Sequence, residues 1–158
     1  MDVLWAPWRM QFVDKENKDI CIFCNMKDQS DDRGNLLIKR GEVSMLMMNR
    51  YPYNNGHVMV APYRHINDFG ELTAREINEI FQMLKLAKYA IDKVMHPHGY
   101  NMGLNEGEVA GAGFEHIHFH LVPRWTGDTN FMPVTASTKV MPELLLNTYD
   151  KIFEALKR

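Results

Sequence analysis

His116-Ile117-His118-Phe119-His120, within the run Glu115 to Val122 (EHIHFHLV), alternates an imidazole with an apolar side chain. A period of two belongs to a β-strand, whose successive side chains point to opposite faces. The run predicts a strand over 115–122, with three imidazoles on one face and Ile117, Phe119 and Leu121 on the other. The apolar face is expected to pack and the imidazole face to be presented. Neighbouring imidazoles on one face start roughly 6.5–7 Å apart at the backbone, near enough for their rings to converge on one atom or ion. Adjacent imidazoles also disfavour one another's protonation, which keeps at least one ring neutral and nucleophilic near pH 7. Two chemistries suit such a row: nucleophilic attack, and a site for zinc, iron or copper.

Directly upstream, Asn105 to Gly113 (NEGEVAGAG) holds three glycines and can turn backbone N–H groups toward an anion. A phosphate cradle beside a nucleophile is the arrangement that phosphoryl or nucleotidyl transfer requires. Before it, Tyr100 to Leu104 reads as a short strand. Earlier still, Ile77, Ile80, Phe81, Leu84, Ala87, Ile91, Val94 and Met95 recur at helical spacing. Thr73 and Glu76 supply a capping box for that helix, and Pro97-His98-Gly99 stops it. His96 and His98 read as helix-end residues facing the dipole, without catalytic duty. Val43 to Met48 and His57 to Ala61 form an antiparallel pair across Asn49 to Gly56, a segment dense in turn formers. After Pro142, Leu145, Tyr149, Ile152, Phe153 and Leu156 mark a final amphipathic helix. Strands in meander order with helices between and after them predict an α+β fold, helix against antiparallel sheet.

The chain has 158 residues, no repeat and no linker, so residues 1–158 are read as one domain. At 46% apolar and 24% charged it lies far from the composition of disordered chains. Eighteen Lys+Arg against 20 Asp+Glu leave a formal charge of -2, which excludes a global basic field for holding a long nucleic acid. No leader or bilayer-length apolar run is found, so the expectation is a cytoplasmic protein without a membrane span. Cys21 and Cys24 are spaced C-x-x-C, which in a reducing compartment suits half a metal site, a redox pair or plain packing.

The run His116 to Arg124 (HIHFHLVPR) resembles the H-x-H-x-H-x-x signature of the histidine-triad superfamily of nucleotide hydrolases and transferases. Asn49-Arg-Tyr-Pro followed by Gly56-His57-Val-Met-Val is similar to the nucleotide-binding hairpin of that family, and Asn105 falls where relatives place a polar amide. Trp5-Ala-Pro-Trp8-Arg9 and Arg124-Trp125-Thr-Gly-Asp-Thr-Asn-Phe131 resemble the branch acting on diadenosine tetraphosphate, including its phosphorylases. The chain departs from many relatives in carrying Ala112 and Gly113 where they have Gln, Ser or Thr, which leaves donation there to the backbone. His120 in place of Gln sets it apart from the sugar-phosphate nucleotidyltransferases.

The resemblance implies a histidine-triad fold and a catalytic set of His116, His118, His120 and His57. In it His118 attacks the α-phosphorus to give a nucleotidyl-histidine intermediate, and His120 and His57 bind the phosphates. Asn49 is then expected at the ribose, with Leu46, Met47 and Met59 placed either to sandwich the base or to fill the core. Asn105 and Trp125 complete the substrate contacts, and the N–H groups of Gly111, Ala112 and Gly113 stabilise transition-state charge. The resemblance also implies a structural zinc on Cys21, Cys24, His65 and His116, no organic cofactor, and a homodimer. Diadenosine tetraphosphate is the leading substrate, with phosphate or water as acceptor. The competing functions are hydrolysis of nucleoside phosphoramidates, nucleotide binding with little turnover, and a redox-metal site.

Overall fold

Two strands that are apolar on both faces need cover on both sides, and Ser44–Met48 (β2) and Val58–Pro62 (β3) are buried at every position. The structure, a computed structural model, describes residues 21–128 and 140–157. The Trp5 to Arg9 segment and Thr129 to Phe131 lie outside the described residues. The described elements are α1 (Ile22–Met26), β1 (Leu37–Arg40), β2, β3, α2 (Ala74–Met95), β4 (Gly99–Leu104), β5 (Phe119–Arg124) and α3 (Leu145–Leu156). The five strands make one antiparallel sheet in the order β1-β2-β3-β5-β4. The α+β class is as expected, but the order is not a simple meander, because β5 enters between β3 and β4. Leu37–Arg40 was not expected as a strand; it is short and lies at the sheet edge, where a mixed LIKR run carries little alternation.

One face of the sheet carries Leu46, Met48, Val58, Val60, Ile117, Phe119 and Leu121 into the core with α2 and α3. The other face carries Leu37, Met45, Met47, Met59 and Ala61, and is covered by Phe23 of α1. Leu46 therefore lies on the helix side, away from Met47 and Met59. Of the α2 residues expected on one buried face, Ile80, Leu84, Ala87 and Ile91 are buried, joined by Met83 and Ala90, while Ile77 and Phe81 are exposed. Phe81 and Phe69 meet Phe119 edge-on at 5.9 and 6.3 Å, at the margin of the sheet. No described helix is long and apolar enough to cross a membrane.

The Thr73–Glu76 capping box is present, and the residue that ends α2 in the left-handed region is His96 (φ 49°), not Gly99, which opens β4. Glu76 also accepts from Arg64, and these bonds hold its buried carboxyl down to about 2, well below the usual range. A carboxyl lowered by folding adds stability that is full above its unfolded value near 4.5 and is lost as pH falls toward 2. Glu76→Gln is expected to cost about 1–3 kcal/mol at neutral pH, and the gap from wild type should close across that acid window. Urea midpoints measured against pH check this, and a gap independent of pH would contradict it.

Candidate active site

The β-ladder stops where proline removes a donor. Continuing the β3–β5 register, which pairs Val60 with Phe119, would set Pro62 opposite Ile117, and proline has no N–H to offer. The ring Nε2 of His116 donates instead to the Pro62 carbonyl at 2.9 Å, and the Ile117 N–H donates to Ile66. The strand therefore begins at Phe119 and not at Glu115, so His120 alone of the three histidines lies within it. The alternation of faces survives. Ile117 and Phe119 enter the helix-side core, while His116 and His118 contact Phe23 on the opposite side. The imidazole side is not open along its length, since His116 and His118 are both buried.

Hydrogen bonds decide which ring nitrogens carry protons. A carbonyl oxygen only accepts, so the 2.7 Å contact of His118 Nδ1 with the His116 carbonyl requires a proton on Nδ1. Nε2 of a neutral His118 is then a bare lone pair. Burial pushes the His118 pKa down, which favours that neutral form. His57 is fixed in the same manner: its Nδ1 accepts from the Tyr53 N–H at 3.1 Å, and its Nε2 lies 2.9 Å from Nδ1 of His120. With Nδ1 of His57 accepting, its Nε2–H donates to His120, and the His120 ring proton sits on Nε2. The His118 and His120 rings meet edge-on with centroids 4.8 Å apart. One chain of contacts thus joins Tyr53, His57, His120 and His118.

Across the sheet, the site-facing row runs Leu37, Met47, Met59, His120 and Gly103. Met47 and Met59 are buried beneath Phe23, whereas a side chain placed at Gly103 would meet nothing within 4 Å. The row passes from packed sulfur and aliphatic groups, through His120, to open space where a substrate has room. Asn105 follows Leu104, the last β4 residue paired with β5, and opens the glycine loop. In the glycine loop, the Gly111 and Ala112 N–H groups donate to the carbonyls of Glu108 and Gly107. Those two donors are spent inside the loop, where positive φ at Gly107 and Gly111 folds it back on itself. Asn49 accepts from the Tyr51 N–H at 2.8 Å and its own N–H donates to the His57 carbonyl, which anchors the turn leading to His57. Trp125 is not brought to the triad: its indole N–H donates to the Met95 carbonyl at the end of α2.

The cysteine pair meets the histidines from α1. Cys21 Sγ is 3.3 Å and Cys24 Sγ 3.7 Å from His116 Nδ1, and Cys24 Sγ is 3.2 Å from His65 Nδ1. All four ligand atoms lie within 4.8 Å of one another. The edges of a tetrahedron built on Zn–S and Zn–N bonds are about 3.3–3.8 Å, which the three sulfur–nitrogen separations match, so the cluster is close to the size of a four-coordinate metal site. Its chemistry agrees, because His116 points its unprotonated Nδ1 at the sulfurs and burial holds its pKa down to about 4. Burial, with the neighbouring Cys21, pushes the Cys24 thiol up to about 11, a cost that a bound cation reverses. Arg40 clamps the far end of α1 by donating to the carbonyls of Met26, Lys27 and Gln29.

Phe23 and Tyr53 were not foreseen at the site. Phe23 reads in sequence as one apolar residue between two cysteines, and Tyr53 as part of a turn; nothing in their spacing points to an imidazole.

Comparisons with known proteins point the same way as these buried, tautomer-defined histidines. The chain is 38% identical over 155 residues to the AP-4-A phosphorylase of Mycobacterium tuberculosis, covering 92% of this chain and 79% of that one. It is 30% identical over 95 residues to the asymmetrical bis(5'-nucleosyl)-tetraphosphatase of Schizosaccharomyces pombe, covering 60% of this chain and 52% of the relative. Among solved structures, a Zn-bound histidine triad family protein from Mycobacterium smegmatis superposes with a TM-score of 0.68 at 23% identity, covering 89% of this chain and 96% of that one. The HIT domain model matches residues 32–127, a span that holds His57, the glycine loop and the whole histidine row. With that span matched and the M. tuberculosis relative covering most of the length, the chain belongs to the HIT domain family.

Proposed function

We propose that this protein cleaves dinucleoside polyphosphates, diadenosine tetraphosphate first among them, at an α-phosphate through a nucleotidyl-His118 intermediate. The observation that carries this reading is the 2.7 Å bond from His118 Nδ1 to the His116 carbonyl, which leaves Nε2 as the nucleophile. In the first step Nε2 forms a bond to the α-phosphorus, and the bond from that phosphorus to the bridging oxygen breaks. ATP leaves with the bonding electrons. In the second step phosphate or water attacks the same phosphorus, and the P–N bond returns its electrons to His118. His120, with its proton on Nε2, supplies a donor to the phosphate oxygens, and His57 behind it holds His120 in that tautomer. Asn49 at the ribose and Asn105 and Gly113 near the reacting phosphate are assigned by position, while Met47 and Met59, packed beneath Phe23, take the core-filling role. The names of the phosphorylase and tetraphosphatase relatives support this substrate class.

Zinc is the ion proposed for Cys21, Cys24, His65 and His116, on the size and donor set of that cluster. Bound there, it supplies a closed structural crosslink with no position open to substrate. The chain's own residues do the rest: α1 is tied to the first triad histidine, and the thiols belong to a reducing, cytoplasmic setting. A homodimer through β4 is the second part of the reading. β4 is an edge strand, and beside it Phe69, Phe81 and Met102 are 47%, 43% and 57% exposed.

Purified protein incubated with diadenosine tetraphosphate, with and without phosphate, tests the reading. ADP and ATP appearing only with phosphate identify a phosphorylase; AMP and ATP without it identify a hydrolase. No cleavage in either arm overturns the proposal and turns the search to nucleoside phosphoramidates and to binding without turnover. The same preparation is expected to weigh twice 18.4 kDa in solution, and a monomer removes the dimer.

A further inference from the structure

His118 is held at one edge by a hydrogen bond, and something else must keep its ring in the plane of that bond. A single Nδ1–H···O=C contact leaves the imidazole able to rock about its side-chain torsion. The neighbour that limits this is Phe23. Its ring centroid lies 4.9 Å from that of His118 at an interplanar angle of 32°, closer to a stacked than an edge-on arrangement. It lies 5.0 Å from His116 at 41°. Phe23 is 0% exposed, so its ring packs and does not meet solvent or base. His120 approaches the His118 ring from the side, at 72°.

The position of Phe23 is itself over-determined. It sits between Cys21 and Cys24, whose sulfurs meet His116 and His65, and Arg40 holds the other end of the helix. The five-residue α1 therefore touches the triad twice, through sulfur at His116 and through the Phe23 ring at His116 and His118.

We propose that Phe23 is a positioning residue for the nucleotidyl-transfer step: its ring lies against the His118 imidazole and keeps it in the orientation that points the Nε2 lone pair at the phosphorus. The proposal rests on His118 being the nucleophile, as proposed above. An attacking atom must lie in line with the bond that breaks, and misplacement of about 1 Å costs on the order of 10²-fold in rate. A flat ring restrains rocking in a way that an aliphatic chain of similar volume does not. Phe23 touches no reacting atom, so its loss should act on kcat and leave ground-state binding alone.

The test is Phe23→Leu, which keeps an apolar group in a buried place, beside Ile22→Val, which trims the same helix. Both are measured as metal-loaded protein for kcat, KM, metal content and melting temperature. The ring nitrogens of His118 are followed by ¹⁵N NMR. Phe23→Leu is expected to lower kcat by about 10–100-fold with KM within about twofold, metal content intact, and the single Nδ1–H signal of His118 replaced by an averaged one. Ile22→Val should keep both the wild-type kcat and that signal. If Phe23→Leu fails to fold, Phe23→Met gives the same comparison, since its flexible thioether fills the space without a flat face. A wild-type kcat and signal in the variant overturn the proposal, as does a kcat that falls only in step with metal content or folded fraction. Absence of turnover in the wild type would remove the reaction, while the NMR signal would still decide whether Phe23 orients the ring.

Discussion

Replacing His118 with Ala is expected to abolish cleavage of diadenosine tetraphosphate, by about 10⁴-fold or more in kcat, the scale seen when a covalent nucleophile is removed. The size follows from the geometry. His118 is the ring whose Nδ1 is committed to a carbonyl and whose Nε2 is therefore bare, whereas Nδ1 of His120 accepts from His57 and Nδ1 of His116 faces two sulfurs. Neither neighbour can take over the attack without giving up its own contact. The Ala variant should stay folded, because Ile117 and Phe119 on either side remain in the helix-side core. Steady-state kinetics with a melting curve as control measure this, and a variant that keeps more than trace activity would remove His118 from the role. His118→Gln separates the two functions of the ring: an amide can donate to the His116 carbonyl but cannot form the phosphoramidate intermediate, so it should be as inactive as Ala while melting closer to wild type.

Removing the metal is the second large effect. Chelation, or Cys24→Ser, is expected to lower the melting temperature by about 10 °C, since a ligand held at about a thousand times its dissociation constant adds about 4 kcal/mol and each kcal/mol shifts a domain of this size by about 2–4 °C. Without the ion, Cys24 must hold its proton in a place where burial disfavours the thiolate, and a weak thiol contact replaces the metal bond at His116 Nδ1. Turnover should fall at temperatures well below the new melting point, because the carbonyl that orients His118 belongs to His116. Metal analysis, calorimetry and kinetics on one preparation check the three parts together. A protein that carries no metal after purification in zinc-supplemented medium, or whose melting point ignores chelation, would refute the assignment of zinc to this cluster.

Much of this was legible in the residues because it depends on short periods. The capping box Thr73–Glu76, the amphipathic course of α2 and α3, and the alternation of Ile117 and Phe119 with histidine are local patterns that any packed structure would have to respect. The rest depended on neighbours distant in sequence. Ile77 and Phe81 have the right spacing to be buried, yet they are 37% and 43% exposed, with Phe81 meeting Phe119 edge-on. Gly111 and Ala112 have the composition of an anion cradle, yet their N–H groups close the loop on Glu108 and Gly107. Trp125 follows the triad in sequence by only a few residues, but an extended strand carries it to the opposite end of the sheet, against Met95.

The residue types in the row His116-Ile-His-Phe-His120 settled which side chains face one another, since a period of two leaves no choice of face. Only the folded chain decided what each imidazole does. Pro62, 54 positions away from His116, ends the ladder because it lacks an N–H, and its carbonyl turns His116 toward the cysteines. The Tyr53 N–H settles the tautomer of His57, and through it that of His120. Proton placement on a histidine is fixed by the partner of its other nitrogen, and that partner is a matter of tertiary packing which no local pattern encodes.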